Sequence, residues 1–558
     1  MIKHITLVAV ISLCCANSHS QTYSSNGMVV SDNLEASKVG IEILKKGGNA
    51  IDASIATAFA LAVAHPQAGN IGGGGFMVYM DDSSRVTTID FREMAPVKAS
   101  STMFLDENGE LIKGKNHVGA LSAGVPGTVA GLYLAHQKYG KLPWEDLIAP
   151  AIDMANNGVS MSYTLASHAI KIHNSDNPEF LKSLYLDSLG MPLKFGSIWK
   201  QPELANTLGL IRDNGKDGFY KGSVAEEIER YMLENGGIIT KDDLIQYKAI
   251  ERKPLKGTYK GYEIFSMAPP SSGGVAMIEM LNIMEQANLE HTPFNSTEYV
   301  HLTAEVMRRA FADRAQYLGD PDYNIDMPID KLISKEFAKN RLSNIDMEKA
   351  SISDSSLFGQ IYDGTNTTHF SVIDKDGNAV SVTYTLEQSY GSGMGSKSLG
   401  FIFNNEMGDF NPQPGYTNSE GLIGTNPNLI EPKKRMLSSM TPTIVAKDGK
   451  PVLIIGSPGG RTIINTVFQT VLCFLEYNMS IEESIEAMKI HHQWLPNKLF
   501  FEENKLSPDT IEALTLKGHD LQGRRYLGRL MGISIDKENG VYIGASDTSS
   551  PDGGAIGY

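Results

Sequence analysis

Fifteen consecutive small or apolar residues, AIDASIATAFALAVA (50–64), are broken only by short polar side chains and predict a helix buried on every side. The glycine cluster Gly72 to Gly75 follows it, and FMVYM after that reads as a strand. Dinucleotide and P-loop glycines need the strand first and the helix after, and the P-loop also needs Gly-Lys-Ser/Thr. Here the order is helix, glycines, strand, so a tight turn or a close backbone approach fits better. From about 125 to 350 the apolar spacing is mostly helical. TEYVHLTAEVMRRAFADRAQYLGDP (297–321) repeats every three or four residues and stops at Gly-Asp-Pro. APPSSGGVAMIEMLNIME (268–285) sets Pro, Ser and Gly ahead of another helix, as an N-cap would require. After 366, two-residue alternation takes over in HFSVI, AVSVTYTL, GFIFNNE and TPTIVAKDGKPVLIIGSPGG. One further helical pattern spans about 461 to 488, and GISIDKENGVYIGASD predicts a last hairpin.

The chain's 558 residues would suggest three or four domains on length alone. The pattern shows no repeat, no low-complexity linker and no clean boundary, so that count is too high. The segment 411–435, NPQPGYTNSEGLIGTNPNLIEPKKR, lacks periodicity, and loops of this length inside a domain are usually functional or disordered. It is a candidate lid.

Lys3 and His4 precede an apolar run, Ile5 to Cys15, and small polar residues continue to Ser20. This predicts a secretory signal over residues 1–20, cut near Ser18 or Ser20, and a protein exported to a periplasm or the medium. Neither Cys14 nor Cys15 has the small preceding residue of a lipoprotein site. Nothing after the leader approaches a membrane span. Cys473 is the one cysteine left, which excludes an intrachain disulfide and cysteine-ligated zinc. With 49 basic against 64 acidic residues and a formal charge of −15, nucleic acid is not an expected partner.

The segment NTTHFSVIDKDGNAVSVTYTLEQSYG (366–391) predicts a hairpin. A three-residue loop, Lys375-Asp376-Gly377, with Gly377 left-handed, pairs Asp374 with Asn378 and sets Thr367 opposite Thr385. Thr383, Thr385 and Glu387 then share one face. A two-residue Asp-Gly loop would shift this register by one. Paired threonines on a sheet are also ordinary structure. A threonine becomes a nucleophile without a neighbouring histidine when it is the first residue of a chain and its own α-amine is the base. For Thr367 that requires cutting the Asn366–Thr367 bond.

Thr367-Thr368-His369, Gly377-Asn378, Val380, Thr383, Thr385, Glu387 and Tyr390-Gly391 resemble the signature of the γ-glutamyltranspeptidases, which are N-terminal nucleophile hydrolases. GNAIDA…HPQAGNIGGGGFMVYM, DFREMAP (90–96), GVPGTVAGLYLAHQKYG (124–140), PPSSGG (269–274), LSSMTPTIV (437–445), GSPGG (456–460) and GASD (544–547) resemble family blocks in the same order, from about residue 25 onward. The resemblance implies an α+β fold, a four-layer αββα sandwich formed by both subunits of a self-cleaved precursor. The large subunit would be 21–366 and the small one 367–558, joined as a heterodimer. It implies Thr367 as nucleophile, with Thr385 hydrogen-bonded to it and the amides of Gly459 and Gly460 as oxyanion hole. It further implies Arg92, Ser438 and Ser439 on the substrate's α-carboxylate, and Glu387, Glu406 and Asp409 on its ammonium. Many family members carry Asn and Gln where this chain has Glu387 and Glu406, although Glu occurs at both. The implied donors are glutathione and other γ-glutamyl compounds, the acceptors water, amino acids or dipeptides, and no metal or cofactor is involved.

Each residue also has a plain structural reading. Arg92 could pair with Glu93 at the surface, Ser438 and Ser439 could cap a helix or turn, and Gly459-Gly460 could be a β-turn. His369, His491 and His492 are read as structural, because adjacent strand residues point to opposite faces. The lid's usual aromatic is not placed: Tyr416 lies near, while the aligned position holds Glu420. Rival readings are a related acylase or polyglutamate hydrolase of the same fold, and a non-catalytic exported binding protein.

Overall fold

Two seven-stranded antiparallel sheets lie face to face, and helices cover the outer side of each. The computed structural model describes residues 21–353, 367–416, 418–419 and 422–558. The leader 1–20, Asn366 and Glu420 therefore lie outside the described residues. One sheet runs Gly554–Gly557, Met28–Ser31, Thr367–Ile373, Ala379–Thr385, Gly74–Met80, Val86–Phe91, Ile250–Arg252. The other runs Gln21–Ser24, Val541–Ser546, Met531–Asp536, Lys450–Gly456, Thr443–Lys447, Tyr262–Ser266, Leu255–Tyr259. Both sheets draw strands from before and after residue 366.

Side-chain alternation builds the layers. Met28, Val30, Val78 and Ile373 of the first sheet meet Ile444, Ile454, Met531 and Ile533 of the second. The intervening residues Val29, Met77, Phe370, Val372 and Val382 face outward under a helical layer that includes Leu34–Lys45 and Ala50–Ala64. On the second sheet, Val445, Leu453 and Ile455 pack against Gly273–Ala287, Thr297–Tyr317 and Thr462–Glu476. This is the four-layer αββα sandwich that the resemblance implies.

The helix over 50–64 forms as the pattern predicts, with every residue buried and a capping box between Asn49 and Asp52. The glycines beyond it are needed for space. A Cβ on Gly73 would lie 2.0 Å from the Thr385 carbonyl oxygen, and one on Gly75 would lie 2.4 Å from that of Thr383.

Three expectations change. Gly400–Glu406 forms no strand, because its buried backbone bonds to several separate segments rather than to one neighbouring strand. Its amides are satisfied one at a time: Phe403 N by Met394 O at 2.9 Å, Asn405 N by Leu386 O at 3.0 Å. The mainly helical stretch also contains the strands Ile250–Arg252, Leu255–Tyr259 and Tyr262–Ser266, which extend both sheets. Finally, Ser272 at the N-cap position of Gly273–Ala287 donates its hydroxyl to Ser438 O at 2.6 Å, and it is Ser271 Oγ that accepts the first helix amide, Gly273 N, at 3.0 Å.

Candidate active site

The hairpin adopts the three-residue loop. Asp374 N donates to Asn378 O at 3.1 Å, Gly377 has φ 87°, and Thr367 pairs with Thr385. The two threonine hydroxyls are 3.3 Å apart between the sheets, and Thr385 Oγ1 also accepts the Glu387 amide at 2.8 Å. Thr368 points to the opposite side and donates to Asp32 Oδ2 at 3.1 Å. Burial lifts the Asp32 pKa to about 6, even though Ser550, Arg529, Thr368 and the His369 amide pull it down.

Thr367 opens into a recess of about 330 Å³ lined by Arg92, Thr385, Glu387, Glu406, Asp409, Ser438, Ser439, Met440, Gly460, Arg461 and Ile463. Nine of the ten candidate site residues named above line it, brought from five separate stretches of chain; Gly459 lies one residue behind. Glu387 stands just past its strand at φ 77°, left-handed backbone that costs a non-glycine residue about 1–3 kcal/mol. Its amide bond to Thr385 and its contact with His117 Nδ1, 3.2 Å from Oε2, hold it there.

Arg92 is fully buried, which excludes the surface pair read from DFREM. Its guanidinium lies 2.5 Å from Glu406, 2.5 Å from Asp409 and 3.3 Å from Glu93. Burial works against the Arg92 charge, but Glu406, Glu93 and Asp409 outweigh it and raise the pKa. The same burial raises the acids. Glu93 is pushed up to about 8 despite Arg92, and Glu406 well above its ordinary value with Glu93, Asp409 and Glu387 adding to the effect. Glu387 is raised by burial and Asp409, against the pull of His117 and Arg92. Burial alone would lower His117, but the hydrogen bond and charge of Glu387, with Asp409, leave it raised. One cation thus serves a cluster of carboxylates, and Oε1 of both Glu387 and Glu406 has no hydrogen-bond partner among the described residues.

The serine side is built by the docking of PPSSGG on LSSM. Ser272 N donates to Ser438 O at 2.8 Å and Ser438 N to Pro270 O at 2.9 Å. Ser438 Oγ accepts the Met440 amide at 3.1 Å, so the turn reading of this serine holds in part. Arg314 approaches from behind, with Nε donating to Ser272 Oγ at 2.8 Å and Nη2 to Ser439 Oγ at 3.3 Å. Gly459 and Gly460, at φ 135° and 58°, turn the chain into the helix Thr462–Glu476. That helix start is a favourable place for developing negative charge.

The histidines sit apart from the recess chemistry. His369 contacts Thr383 Oγ1 at 2.8 Å and Ser371 Oγ at 3.1 Å, and burial drives its pKa to about 3. His491 lies 2.7 Å from Asn465 Nδ2 and 2.8 Å from Gln493 Oε1, and burial holds His492 well below its ordinary value. Among the described residues no group of three or more His, Cys, Asp or Glu could hold a metal. The segment 411–435 is fastened at its base: Asn411 Nδ2 donates to Thr425 O at 2.7 Å and Asn428 Nδ2 to Asp409 O at 2.7 Å.

His117, Arg314 and Arg461 also belong to the site although no sequence motif assigns them to it, and Glu93 joins it as a buried rather than a surface residue. His117 and Glu387 are 270 positions apart, a separation no local pattern records. Glu93 lies inside DFREMAP, where the sequence offers it only as a surface partner of Arg92, and Arg461 directly follows GSPGG.

A threonine at the end of a central strand, facing the space between two helix-covered sheets, defines an N-terminal nucleophile hydrolase architecture. The same layers occur in a solved cephalosporin acylase from Bacillus halodurans (TM-score 0.84, 24% identity, 99% of each chain), a likeness of fold alone. The sequence carries the identity further. Residues 36–558 match the family Gamma-glutamyltranspeptidase. A glutathione hydrolase proenzyme of Escherichia coli (strain K12) is 44% identical over 96% of this chain and 92% of its own length. A solved Helicobacter pylori gamma-glutamyltranspeptidase is also 44% identical, with TM-score 0.54, over 57% of this chain and 90% of that one. This chain belongs to the gamma-glutamyltranspeptidase family.

Proposed function

We propose that the protein moves γ-glutamyl groups from glutathione and other γ-glutamyl amides to water or to amino acids and peptides, by way of an ester on Thr367. The observation that carries this reading is the lining of the recess beside Thr367, which combines the carboxylates of Glu387, Glu406 and Asp409 with Arg92 and with the hydroxyls of Ser438 and Ser439, the latter backed by Arg314. An amino-acid acyl group, anionic and cationic on the same carbon, complements that arrangement.

Maturation uses the same atoms as turnover. The Thr367 hydroxyl attacks the Asn366 carbonyl carbon, the Thr367 nitrogen leaves with the proton, and water hydrolyses the resulting ester. Asn366 ends as a carboxylate and Thr367 as an amine, giving a large subunit 21–366 and a small subunit 367–558 held as a heterodimer. The word proenzyme in the name of the Escherichia coli relative supports a processed chain. In turnover the new α-amine, with an ordinary pKa of about 7.7–8.0, takes the hydroxyl proton as Oγ1 bonds to the γ-carbonyl. The proton passes to the departing amine nitrogen, and water or an acceptor amine then cleaves the ester. Thr385 orients Thr367. Arg92, Ser438 and Ser439 hold the α-carboxylate, while Glu387, Glu406 and Asp409 hold the ammonium. Amides of Gly459 and Gly460 receive the oxyanion, each such donor being worth roughly 10²–10³ in rate. The leader directs export to a periplasm or the medium.

Hydrolysis of γ-glutamyl-p-nitroanilide against glutaryl-p-nitroanilide, which lacks the amine, tests the reading. The γ-glutamyl compound is the expected substrate; preference for the glutaryl one would favour the acylase chemistry instead.

A further inference from the structure

A cation directly behind the recess serines is one that the family motifs do not include. Arg314 lies on the long helix Thr297–Tyr317, is 6% exposed, and forms no ion pair with any carboxylate among the described residues. A buried guanidinium without a counter-ion is costly, and one retained at a binding site is a candidate for completion by an anionic ligand. Burial, with Arg461 adding, pushes its pKa down to about 9, while Asp409 pulls the other way. Asp409 itself is engaged by Arg92 at 2.5 Å.

The hydrogen bonds give this charge a direction. Arg314 Nη2 donates to Ser439 Oγ, and a guanidinium has donors only. The Ser439 proton must therefore point elsewhere, and it finds no acceptor among the described residues. Ser439 lines the recess, so its O–H is left to donate into it. Through Nε, Arg314 also holds Ser272 Oγ, whose own proton goes to Ser438 O. One arginine thereby fixes both recess serines, one by its hydroxyl and the other by its backbone. Arg92 is differently placed, since its charge is already met by Glu406 and Asp409.

We propose that Arg314 is a positioning residue for the substrate carboxylate, aligning Ser438 and Ser439 and supplying the unmatched positive charge behind them. It rests on the γ-glutamyl reading given above, and it predicts that the enzyme's discrimination between carboxylate and carboxamide at the α-carbon depends on Arg314.

The test compares γ-glutamyl-p-nitroanilide with the same anilide bearing an α-carboxamide, in wild type, Arg314→Gln and Arg314→Lys. Melting temperature and fragment pattern are recorded for each. The Arg314→Gln variant should shrink the carboxylate-to-carboxamide ratio of kcat/KM by about tenfold, through a raised KM for the carboxylate substrate and little change in kcat. Arg314→Lys, which keeps the charge, should recover most of the ratio. If Arg314→Gln does not fold, Arg314→Met, which has no buried polar group to satisfy, reads the same ratio. An unchanged ratio in a folded variant, or an equal loss of kcat on both substrates, would overturn the role. A wild type that cleaves neither anilide would instead bring down the functional reading and this inference with it.

Discussion

Two arginine clusters, one partly and one wholly buried around its arginine, meet at the end of the strand Val86–Phe91, and their charge balance differs. In the first, Arg252 lies 2.7 Å from Asp90 and 2.7 Å from Asp322, and Arg435 shares Asp90 at 3.4 Å. The third acid nearby, Asp320, is occupied by the Arg435 amide at 2.7 Å. In the second, two residues along the chain, Arg92 alone serves Glu93, Glu406 and Asp409, with Glu387 beyond. The first cluster pairs its charges within the protein and joins a strand to a helix end. The second gathers more carboxyl groups than its arginine can keep ionised and lines an open recess. Excess buried charge of one sign serves binding better than stability, because removing charge from water is repaid only by a partner. The partner proposed for it is the substrate ammonium.

Breaking the balanced cluster should cost the fold and spare the chemistry. Asp90→Asn leaves Arg252 short of a buried counter-ion and should destabilise by about 3–5 kcal/mol in denaturant or thermal unfolding. The γ-glutamyl-over-glutaryl preference of the surviving enzyme should be unchanged. Breaking the unbalanced cluster should do the reverse. Asp409→Asn should lower kcat/KM for γ-glutamyl-p-nitroanilide by about 10–150-fold, the range for a lost hydrogen bond to a charged group, and hardly alter the unfolding midpoint.

The acids' raised pKa values sharpen the contrast further. A carboxyl that binds its proton more tightly folded than unfolded favours the fold at low pH, and that advantage disappears as pH rises through the folded value. For Glu93 the window runs from its ordinary 4.5 to about 8. The melting temperature should therefore fall between pH 5 and pH 8, and L-glutamate, by supplying the ammonium, should raise it more at pH 8 than at pH 5. Equal shifts at both pH values would contradict the charge imbalance. The smallest effect is expected of His117→Gln, which removes the imidazole beside Glu387. KM should change by about threefold, and the acid limb of the KM profile should move, because Glu387 loses a partner that favours its ionised form.

Much of this arrangement can be read along the chain. Asp374 to Asn378 carries its own turn chemistry, so the register that sets Thr367 against Thr385 follows from local rules. The close approach of Gly73 and Gly75 to the hairpin is likewise visible in a glycine cluster with the wrong order for a nucleotide loop. Gly400–Glu406 misleads because its aromatic and β-branched residues suit a strand, while its amides bond to separate segments and it joins no sheet. The two arginine clusters are beyond sequence reasoning. Arg92 and Arg435 each follow a short motif with an acid near, and nothing local says which becomes balanced. His117 and Arg314 reach the site from a loop and a helix interior, where an isolated histidine or arginine ordinarily serves the surface.

The central claim is that Thr367 begins a chain. Purified wild-type protein on a denaturing gel, with N-terminal sequencing of the smaller fragment, tests it most directly. The account predicts two fragments, the smaller beginning Thr367-Thr368-His369, and a single uncut chain for Thr367→Ala. A wild type that is active while uncut, or a smaller fragment with a different first residue, would contradict it.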